Sequence, residues 1–372
     1  MRRILLPALA AALIAAGAAG AAYRPSPLLP VDGAYRLADG IVLSLAVTPD
    51  GGLLYTNTHT GDLRQLSPPT APGRFTFGPS YLVAGPVRGT IIVKGPRLTL
   101  VTGGRTRTAH RVAVRRQAVS FAGQGVRLAG KVTSPATGGR HPAVAIVHGS
   151  EAGDRDYYDM LVNFYSSLGY VVLTYDKRGV GASKGDYQEF PSVRNVENLA
   201  GDAIGALRVL AARKDVDANR IGLVGASQAG WIIPRAAARS PLVKFAVVAA
   251  GPAVSVGEQG LYAGLTGQGA NDPTKAQIDE QLSGAEPSGF DPRPDLEKLT
   301  IPMLWLYGLE DKVVYAPQSV AVLQALPTPP TVKTFPRAGH FLLDTPHGLN
   351  SELTGAHRFV YLQTIAAWLR DH

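Results

Sequence analysis

The sequence predicts an α/β protein whose main domain is a doubly wound, mostly parallel sheet, preceded by a small antiparallel β domain. From about residue 118, short continuous apolar runs alternate with helical stretches, which is typical of buried parallel strands between helices. Residues 23–117 contain instead short β-prone runs separated by turn-forming residues. The chain has 372 residues, of which 45% are hydrophobic and 17% charged, so it can bury a large core.

Residues 1–22 have the pattern of a secretory signal peptide. Met1-Arg2-Arg3 precedes an uncharged apolar run that ends in small residues such as Ala19-Gly20-Ala21. The alternative is an uncleaved membrane anchor, since the run approaches the length of a span, but its alanine and glycine content and Pro7 disfavour an anchor. We therefore expect a secreted or periplasmic protein with no stable membrane insertion after signal cleavage.

The composition argues against several classes of site. Cysteine is absent, which excludes disulfides, thiolate metal sites and cysteine nucleophiles. The formal net charge is +9, but the arginines are scattered, and the densest group, at residues 105–116, is not interleaved with aromatic residues. A nucleic-acid surface is therefore disfavoured. The eight histidines show no paired ligand spacing, so neither a metal nor another cofactor is expected.

Residues 23–117 are predicted to form the antiparallel β domain. Apolar runs at 41–45 and 89–93 indicate strands. Turn signals such as Asp39-Gly40, Asp50-Gly51-Gly52 and Gly103-Gly104 are typical of hairpins. The region carries no candidate nucleophile, base or metal cluster, so the sequence assigns it no chemistry.

Residues 118–372 are predicted to form the doubly wound sheet. Its core strands are expected at 144–147, 171–174, 221–224, 245–248 and 303–306, with helices at about 196–212 and 359–369. Residues 252–298 break this rhythm, because they are rich in glycine, glutamine, proline and aspartate. Since ligands bind above the carboxyl ends of such strands, we expect this insertion to be a short lid. A plain surface loop is the alternative.

Ser227 has the context of a nucleophile elbow. An apolar strand runs into Gly225-Ala226-Ser227-Gln228-Ala229-Gly230, and a helix follows. Small residues around the serine permit the sharp turn that exposes its hydroxyl, and the helix amides face developing negative charge. Ala229 replaces the usual glycine two residues after the serine, for which we expect a modest cost in turn geometry.

A serine nucleophile needs a base, and the base needs an orienting acid. Asp311 lies in the loop after the strand that contains Trp305, and His340 follows the next predicted strand and turn. We predict that Asp311 is the acid and His340 the base. Glu310 is the alternative acid; His347 and His357 are the alternative bases, although neither directly follows a strand and turn.

The predicted oxyanion donors are backbone amides. The strand at 144–147 ends in His148-Gly149-Ser150, and we predict the N–H groups of Gln228 and Ser150 as donors, with Gly149 as the alternative to Ser150. His148 is interpreted as a structural hydrogen-bonding residue, and the charged turn at 176–178 as structural as well. In the insertion, Leu261, Tyr262 and Leu265 are predicted to line an acyl pocket.

These motifs together resemble the α/β-hydrolase superfamily, particularly its dienelactone-hydrolase-like and bacterial carboxylesterase branches. The resemblance covers roughly residues 118–372 and is carried by His148-Gly149-Ser150, Asp176-Lys177-Arg178-Gly179-Val180-Gly181-Ala182-Ser183, Gly225-Ala226-Ser227-Gln228-Ala229-Gly230, Gly308-Leu309-Glu310-Asp311 and Gly339-His340. It implies the α/β-hydrolase fold and a Ser-Asp-His triad. The β region looks more vaguely like the accessory domains of some exported members.

The expected function is hydrolysis of a small-molecule carboxylic ester with a short or medium acyl group, through an acyl-enzyme intermediate. Fold alone does not choose among the chemistries of this superfamily, so a peptidase or amidase and an acyltransferase on the same triad remain alternatives. A prolyl-type peptidase would more often carry a repeat-built propeller, which residues 23–117 lack. A catalytically dead binding module is disfavoured, because all three triad positions carry competent residues.

Overall fold

The computed structural model describes residue 28, residues 30–82 and residues 85–372, and these residues form two eight-stranded sheets. The predicted signal segment, residues 1–22, lies outside them. Within the described part of the chain, no helix combines the length and the apolar character needed to cross a bilayer.

The first sheet is an antiparallel meander in the order β4-β3-β2-β1-β8-β7-β6-β5. The amide of Ser67, just after β4, donates to the carbonyl of Thr76 in β5 at 2.8 Å, so the two edges approach each other and the sheet is nearly closed. The predicted antiparallel β region is confirmed. Its strands are β1 (Gly33–Leu37), β2 (Val42–Val47), β3 (Leu53–Asn57), β4 (Leu63–Leu66), β5 (Arg74–Phe77), β6 (Gly89–Lys94), β7 (Arg97–Thr102) and β8 (Arg105–Arg111).

The second sheet is mixed, in the order β16-β15-β14-β13-β11-β12-β10-β9. Strands β11 to β16 pair in parallel, whereas β9 and β10 form an antiparallel hairpin at one edge. Its strands are β9 (Val114–Ala122), β10 (Arg127–Pro135), β11 (His141–Val147), β12 (Val171–Tyr175), β13 (Val216–Ala226), β14 (Phe245–Ala249), β15 (Met303–Gly308) and β16 (Thr331–Phe335).

Helices cover both faces of this sheet, as expected for a doubly wound fold. One face packs against α2 (Val193–Ala211), α3 (Ala229–Arg239), α6 (Arg293–Leu296) and α7 (Ala316–Gln324). The other packs against α1 (Asp159–Ser167) and the C-terminal α8 (Leu362–Asp371). The insertion at 252–298 contains α4 (Val256–Thr266) and α5 (Lys275–Leu282), each with a complete capping box, together with α6.

The change from the first sheet to the second falls between Arg111 and Val114, so β9 runs through the domain boundary expected at residue 117. Both strands carry several arginines, Arg105, Arg107 and Arg111 in β8 and Arg115 and Arg116 in β9, and most of their residues are exposed or only partly buried. Their local pattern therefore does not reveal that they belong to different sheets.

Helix α1 joins the two sheets. Asn163 donates to the carbonyl of Leu45 in β2 at 2.9 Å and to the hydroxyl of Ser44 at 3.2 Å. Arg36 in β1 donates to the carbonyl of Ser167 at 2.7 Å, at the end of the helix. Since Asn163 and Ser44 are buried, these bonds satisfy polar groups at a dry interface and fix the sheets relative to each other.

A buried charge cluster lies at the same junction. Asp32, just before β1, accepts from Arg116 at 3.1 Å, and Lys131 of β10 donates to Asp159 of α1 at 2.7 Å and also to Asp156. Burial and then the neighbouring charge of Asp32 raise the pKa of Asp159 to about 8, despite the opposing effect of Lys131. The folded protein therefore keeps this carboxyl protonated at pH values where the unfolded chain ionises it.

We expect Asp159→Asn to reduce the loss of stability between pH 5 and pH 8.5. The folded-state pKa lies above the ordinary value of 3.8, so the carboxyl's contribution is greatest below that value and declines as the pH rises toward about 8. Thermal unfolding at several pH values measures the effect. The exposed carboxyl of Asp186 is the control, since the stability of Asp186→Asn should vary with pH in the same way as that of the wild type. Parallel curves for Asp159→Asn would contradict the prediction.

Candidate active site

The candidate site lies where the strand order of the second sheet reverses. The chain passes from β11 to β12 on one side and from β12 back to β13 on the other. Strands β11 and β13 are parallel neighbours, with Val147 paired to Gly225. Because parallel strands end at the same edge, the loops that follow them meet there, and Gly149 lies beside Ser227.

Ser227 occupies a strained turn between β13 and α3. Its φ is 55°, in the left-handed region that a non-glycine residue enters only at a cost of about 1–3 kcal/mol. The turn is held by the amide of Ser227, which donates to the carbonyl of Ala249 at 3.0 Å, and by the amide of Gly230, which donates back to Ser227 at 2.8 Å. This is the geometry of the predicted elbow.

Ala229 fits this turn because Gly225 has no side chain. A Cβ on Gly225 would lie 2.6 Å from the Cβ of Ala229. Gly230, one position later, packs against Gly251, where a Cβ would come within 2.7 Å of backbone atoms. The close approach that a glycine permits is therefore needed at 225 and 230 rather than at 229.

The three predicted polar residues form one hydrogen-bonded chain. His340 Nε2 lies 3.0 Å from the Ser227 hydroxyl, and His340 Nδ1 lies 2.9 Å from the Asp311 carboxylate. The other carboxylate oxygen of Asp311 accepts from the amides of Val313 and Val314 at 2.7 and 2.8 Å. These amides fix the carboxylate, and the carboxylate in turn orients the imidazole.

The alternative residues lie elsewhere. The amide of Glu310 donates to the carbonyl of Ala338, and it is the Asp311 carboxylate that contacts the imidazole of His340. His347 pairs with Glu352 at 2.7 Å, and His357 lies 3.9 Å from Asp344. Both histidines are thus engaged with carboxylates away from Ser227.

The segment after His340 is attached to the first sheet. The amides of Leu63, Tyr81 and Leu82 donate to carbonyls of residues 354–357, and the amide of Phe359 donates to the carbonyl of Gly61 at 2.8 Å. An apolar cluster lies beneath these bonds and joins the sheets. Its buried members are Leu54, Leu63, Leu343, Leu353 and Ala356, and Phe341 packs against them. No local pattern in the sequence indicates this attachment, because its partners are far apart in the chain.

Of the two candidate amides after β11, Ser150 has the free N–H. The Gly149 amide donates to the hydroxyl of Tyr158 at 3.1 Å and to Glu151 at 3.2 Å. Among the described residues, neither the Ser150 amide nor the Gln228 amide has an acceptor. Both amides are therefore available to a ligand next to Ser227, which favours the predicted pair.

Buried polar groups form hydrogen bonds with the turn at residues 148–150. His148 Nε2 donates to the carbonyl of Tyr175 at 2.6 Å, and His148 Nδ1 lies 3.2 Å from the Glu151 carboxyl. The hydroxyl of Tyr158 donates to Glu151 at 2.6 Å. Burial by itself would raise the pKa of Glu151, but hydrogen bonding and the positive charge of Lys177 lower it overall. His148 thus lies in a hydrogen-bonded network, in line with the structural role expected for it, together with Glu151 and Tyr158, which no sequence motif had indicated.

The insertion places its three predicted pocket residues differently. Leu261 on α4 is 38% exposed and Leu265 is half-buried, so both present apolar surface on this helix. Tyr262 is buried, and its hydroxyl donates to the backbone carbonyl of Asp311 at 2.7 Å. Gln259 donates to the carbonyl of Val313 at 2.8 Å from the same helix. Helix α4 therefore rests on the loop that carries Asp311.

Residues 157–371 match the model of the prolyl oligopeptidase family, a match that covers more than half of the chain. The chain belongs to this family. Residues 105–199 of this family member also match the acetyl xylan esterase model. Esterase EstD of Thermotoga maritima is 32% identical to it over 212 residues, which cover 50% of this chain and 50% of the relative. The chain thus spans about half the length of the curated relative it matches.

Solved structures show the same fold. An acylaminoacyl peptidase of Pyrococcus horikoshii superposes on this family member with a TM-score of 0.50 at 16% identity, covering 86% of this chain and 54% of that chain. An esterase of Pyrococcus furiosus gives a TM-score of 0.50 at 16% identity, covering 70% and 92%. The predicted α/β-hydrolase fold is confirmed.

We expect Leu63→Ala to slow the reaction of Ser227 with a fluorophosphonate probe as well as to lower stability. Leu63 packs against the segment that follows His340. The cavity left by the alanine should therefore let the imidazole of His340 move away from Ser227. Leu98 is the control, because it is equally buried but belongs to the core of the first sheet and not to the cluster beneath this segment. Leu98→Ala should therefore cost stability, about 2–5 kcal/mol, and leave the labelling rate close to wild type. Equal rates for the two variants would contradict the prediction.

Proposed function

We propose that the protein is a serine hydrolase that cleaves carboxylic esters of short or medium acyl groups, with Ser227 as nucleophile, His340 as base and Asp311 as orienting acid. The observation that carries the proposal is the continuous chain from the Asp311 carboxylate through His340 to a serine hydroxyl held on a strained elbow. A serine in hydrogen-bond contact with an oriented imidazole is an activated nucleophile.

In this proposal the reaction has two halves. The Ser227 hydroxyl attacks the ester carbonyl while His340 takes its proton, and the oxyanion that forms accepts from the N–H groups of Gln228 and Ser150. The C–O bond then breaks, and His340 returns the proton to the leaving alcohol. Water repeats the sequence on the acyl-enzyme, with His340 again as base, and releases the acid and free Ser227.

An ester is the preferred substrate class, because one matching family model, acetyl xylan esterase, and one sequence relative, Esterase EstD, are named for ester cleavage. Peptide or amide cleavage on the same triad is the second candidate, and the match to the prolyl oligopeptidase family favours it. Turnover of p-nitrophenyl esters and of matched p-nitroanilides distinguishes the two. Export through residues 1–22 is part of the proposal and is supported by the sequence pattern alone.

Ser227→Ala should lower ester turnover by about four to six powers of ten while the fold persists, because the members of a triad act as a unit. Initial rates on p-nitrophenyl butyrate measure the loss, and thermal unfolding checks the fold. Ser240→Ala, which changes another buried serine at the end of α3, is the matched control and should keep wild-type rates. Wild-type turnover by folded Ser227→Ala would exclude the proposed mechanism.

The insertion gives a test of how the acyl group is bound. We propose that Leu261 and Leu265 contact it, so the double alanine variant should change relative kcat/KM across acyl chain lengths by about ten- to a few-hundredfold. Tyr262→Phe removes only the hydroxyl that braces the Asp311 loop. It should lower turnover of all chain lengths by a similar factor and leave their order unchanged. An unaltered chain-length profile in the double variant would indicate a surface segment.

A further inference from the structure

Lys177 is a buried ammonium group whose hydrogen bonds all go to uncharged oxygens. Its side chain is 1% exposed, in the turn after β12. The ammonium donates to the carbonyl of Gly149 at 2.6 Å, to the carbonyl of Glu151 at 3.2 Å and to the side-chain oxygen of Gln228 at 3.2 Å. Each of the three N–H groups of the ammonium therefore has an acceptor. The acceptors belong to Gly149, Glu151 and Gln228, the residues around the free amides of Ser150 and Gln228.

The first of these bonds fixes the direction of the Ser150 amide. The Gly149 carbonyl and the Ser150 N–H belong to one planar, trans peptide unit, so they point in opposite directions. When the ammonium holds the carbonyl on one side, the N–H must face the other way. The charge also polarises the peptide unit, which makes the N–H a stronger donor.

The bond to Gln228 acts on the second amide. The side chain of Gln228 is buried, and its amide oxygen accepts from Lys177. The backbone N–H of the same residue is the second free donor. Because the same ammonium contacts Gly149 and Gln228, it connects the loop after β11 to the elbow after β13. The two amides are thus held in a fixed relation to each other.

A purely structural role does not account for this arrangement. Taking an ammonium out of water costs several kcal/mol. The hydrogen bonds of Lys177 go to two carbonyls and one amide oxygen, and the charges of Glu151 and Glu189 offset the cost only in part, because burial still lowers the pKa of the ammonium. The carboxylate of Glu151 is instead bonded to Tyr158 and His148. The ring of Tyr187 lies 5.3 Å from the ammonium and adds a weaker attraction.

We infer that Lys177 is a positioning residue of the oxyanion hole, which aims the Ser150 and Gln228 amides at the oxyanion through its bonds to Gly149 and Gln228. The inference rests on the proposed function, because it concerns the hole of that same reaction. Lys177 touches no reacting atom, so its effect is on the transition state through the two amides and not on substrate binding.

The first test is Lys177→Met, which keeps the length of the side chain and removes the charge and the donors. We expect kcat/KM on p-nitrophenyl butyrate to fall about 10- to 100-fold, less than the loss of a donor itself, with KM within about threefold of wild type. A trifluoromethyl ketone forms a tetrahedral oxyanion on Ser227, and its affinity should fall by the same factor as kcat/KM.

Lys131→Met is the matched control for the loss of a buried lysine. Lys131 lies in the charge cluster between the sheets and contacts Asp156 and Asp159. This variant should lose stability and keep both kcat/KM and the affinity for the ketone. If Lys177→Met does not fold, Lys177→Gln replaces it, since the amide retains one donor bond without the charge and should give a smaller loss of the same kind.

The second test is a pH profile on the unmodified protein. Burial lowers the pKa of Lys177 to about 8, although Glu151 and Glu189 oppose this effect; Tyr187 also faces the ammonium. Activity should therefore decline as the pH rises through about 8, because the neutral amine no longer anchors the Gly149 carbonyl. Lys177→Met should lack this alkaline decline. Asp159→Asn should retain it, which excludes the other group with a pKa of about 8.

The outcomes separate this inference from the proposed function. If folded Lys177→Met keeps kcat/KM and ketone affinity within about twofold of wild type, or if its alkaline decline persists, the inference is overturned. In that case, an inactive Ser227→Ala still upholds the proposed function. If Ser227→Ala retains wild-type turnover, the proposed function itself fails, and the inference fails with it.

Discussion

The parallel pairing of β11 with β13 is the interaction on which the rest of the site depends. Its register sets Val147 opposite Gly225, so the turn that carries Gly149 and Ser150 emerges beside the turn that carries Ser227. The two loops come from segments far apart in the chain. A shift of either strand would move its loop by about 3.3 Å per residue, which would separate the free amides from the serine hydroxyl.

Polar groups that are buried beneath this edge make the geometry rigid. The Asp311 carboxylate is held by the amides of Val313 and Val314. In the turn after β11, the amide of Gly149 donates to Glu151 and its carbonyl accepts from Lys177. Since each of these groups is desolvated, its hydrogen bonds are strong and costly to break. The strained backbone conformation of Ser227 persists because the hydrogen bonds around the turn prevent it from relaxing.

The first sheet is attached to the second sheet and its loops at two places. Its β3–β4 region binds the segment that follows His340, and its β1 and β2 strands bind α1. The base of the proposed triad is therefore supported from two sheets. This gives the N-terminal β region a physical role, although it contributes none of the three triad side chains.

The sequence by itself predicted the core strands from 144–147 to 303–306, the antiparallel first region and the proposed triad residues, because each has a local signal: continuous apolar runs, turn-forming glycines, and a serine between small residues. Tertiary structure alone decided which sheet β9 joins, that α4 supports the Asp311 loop, and that Lys177 contacts Gly149 and Gln228. These features depend on which distant segments become neighbours. Strand order and register decide which segments become neighbours, and neither can be read from the local amino-acid composition.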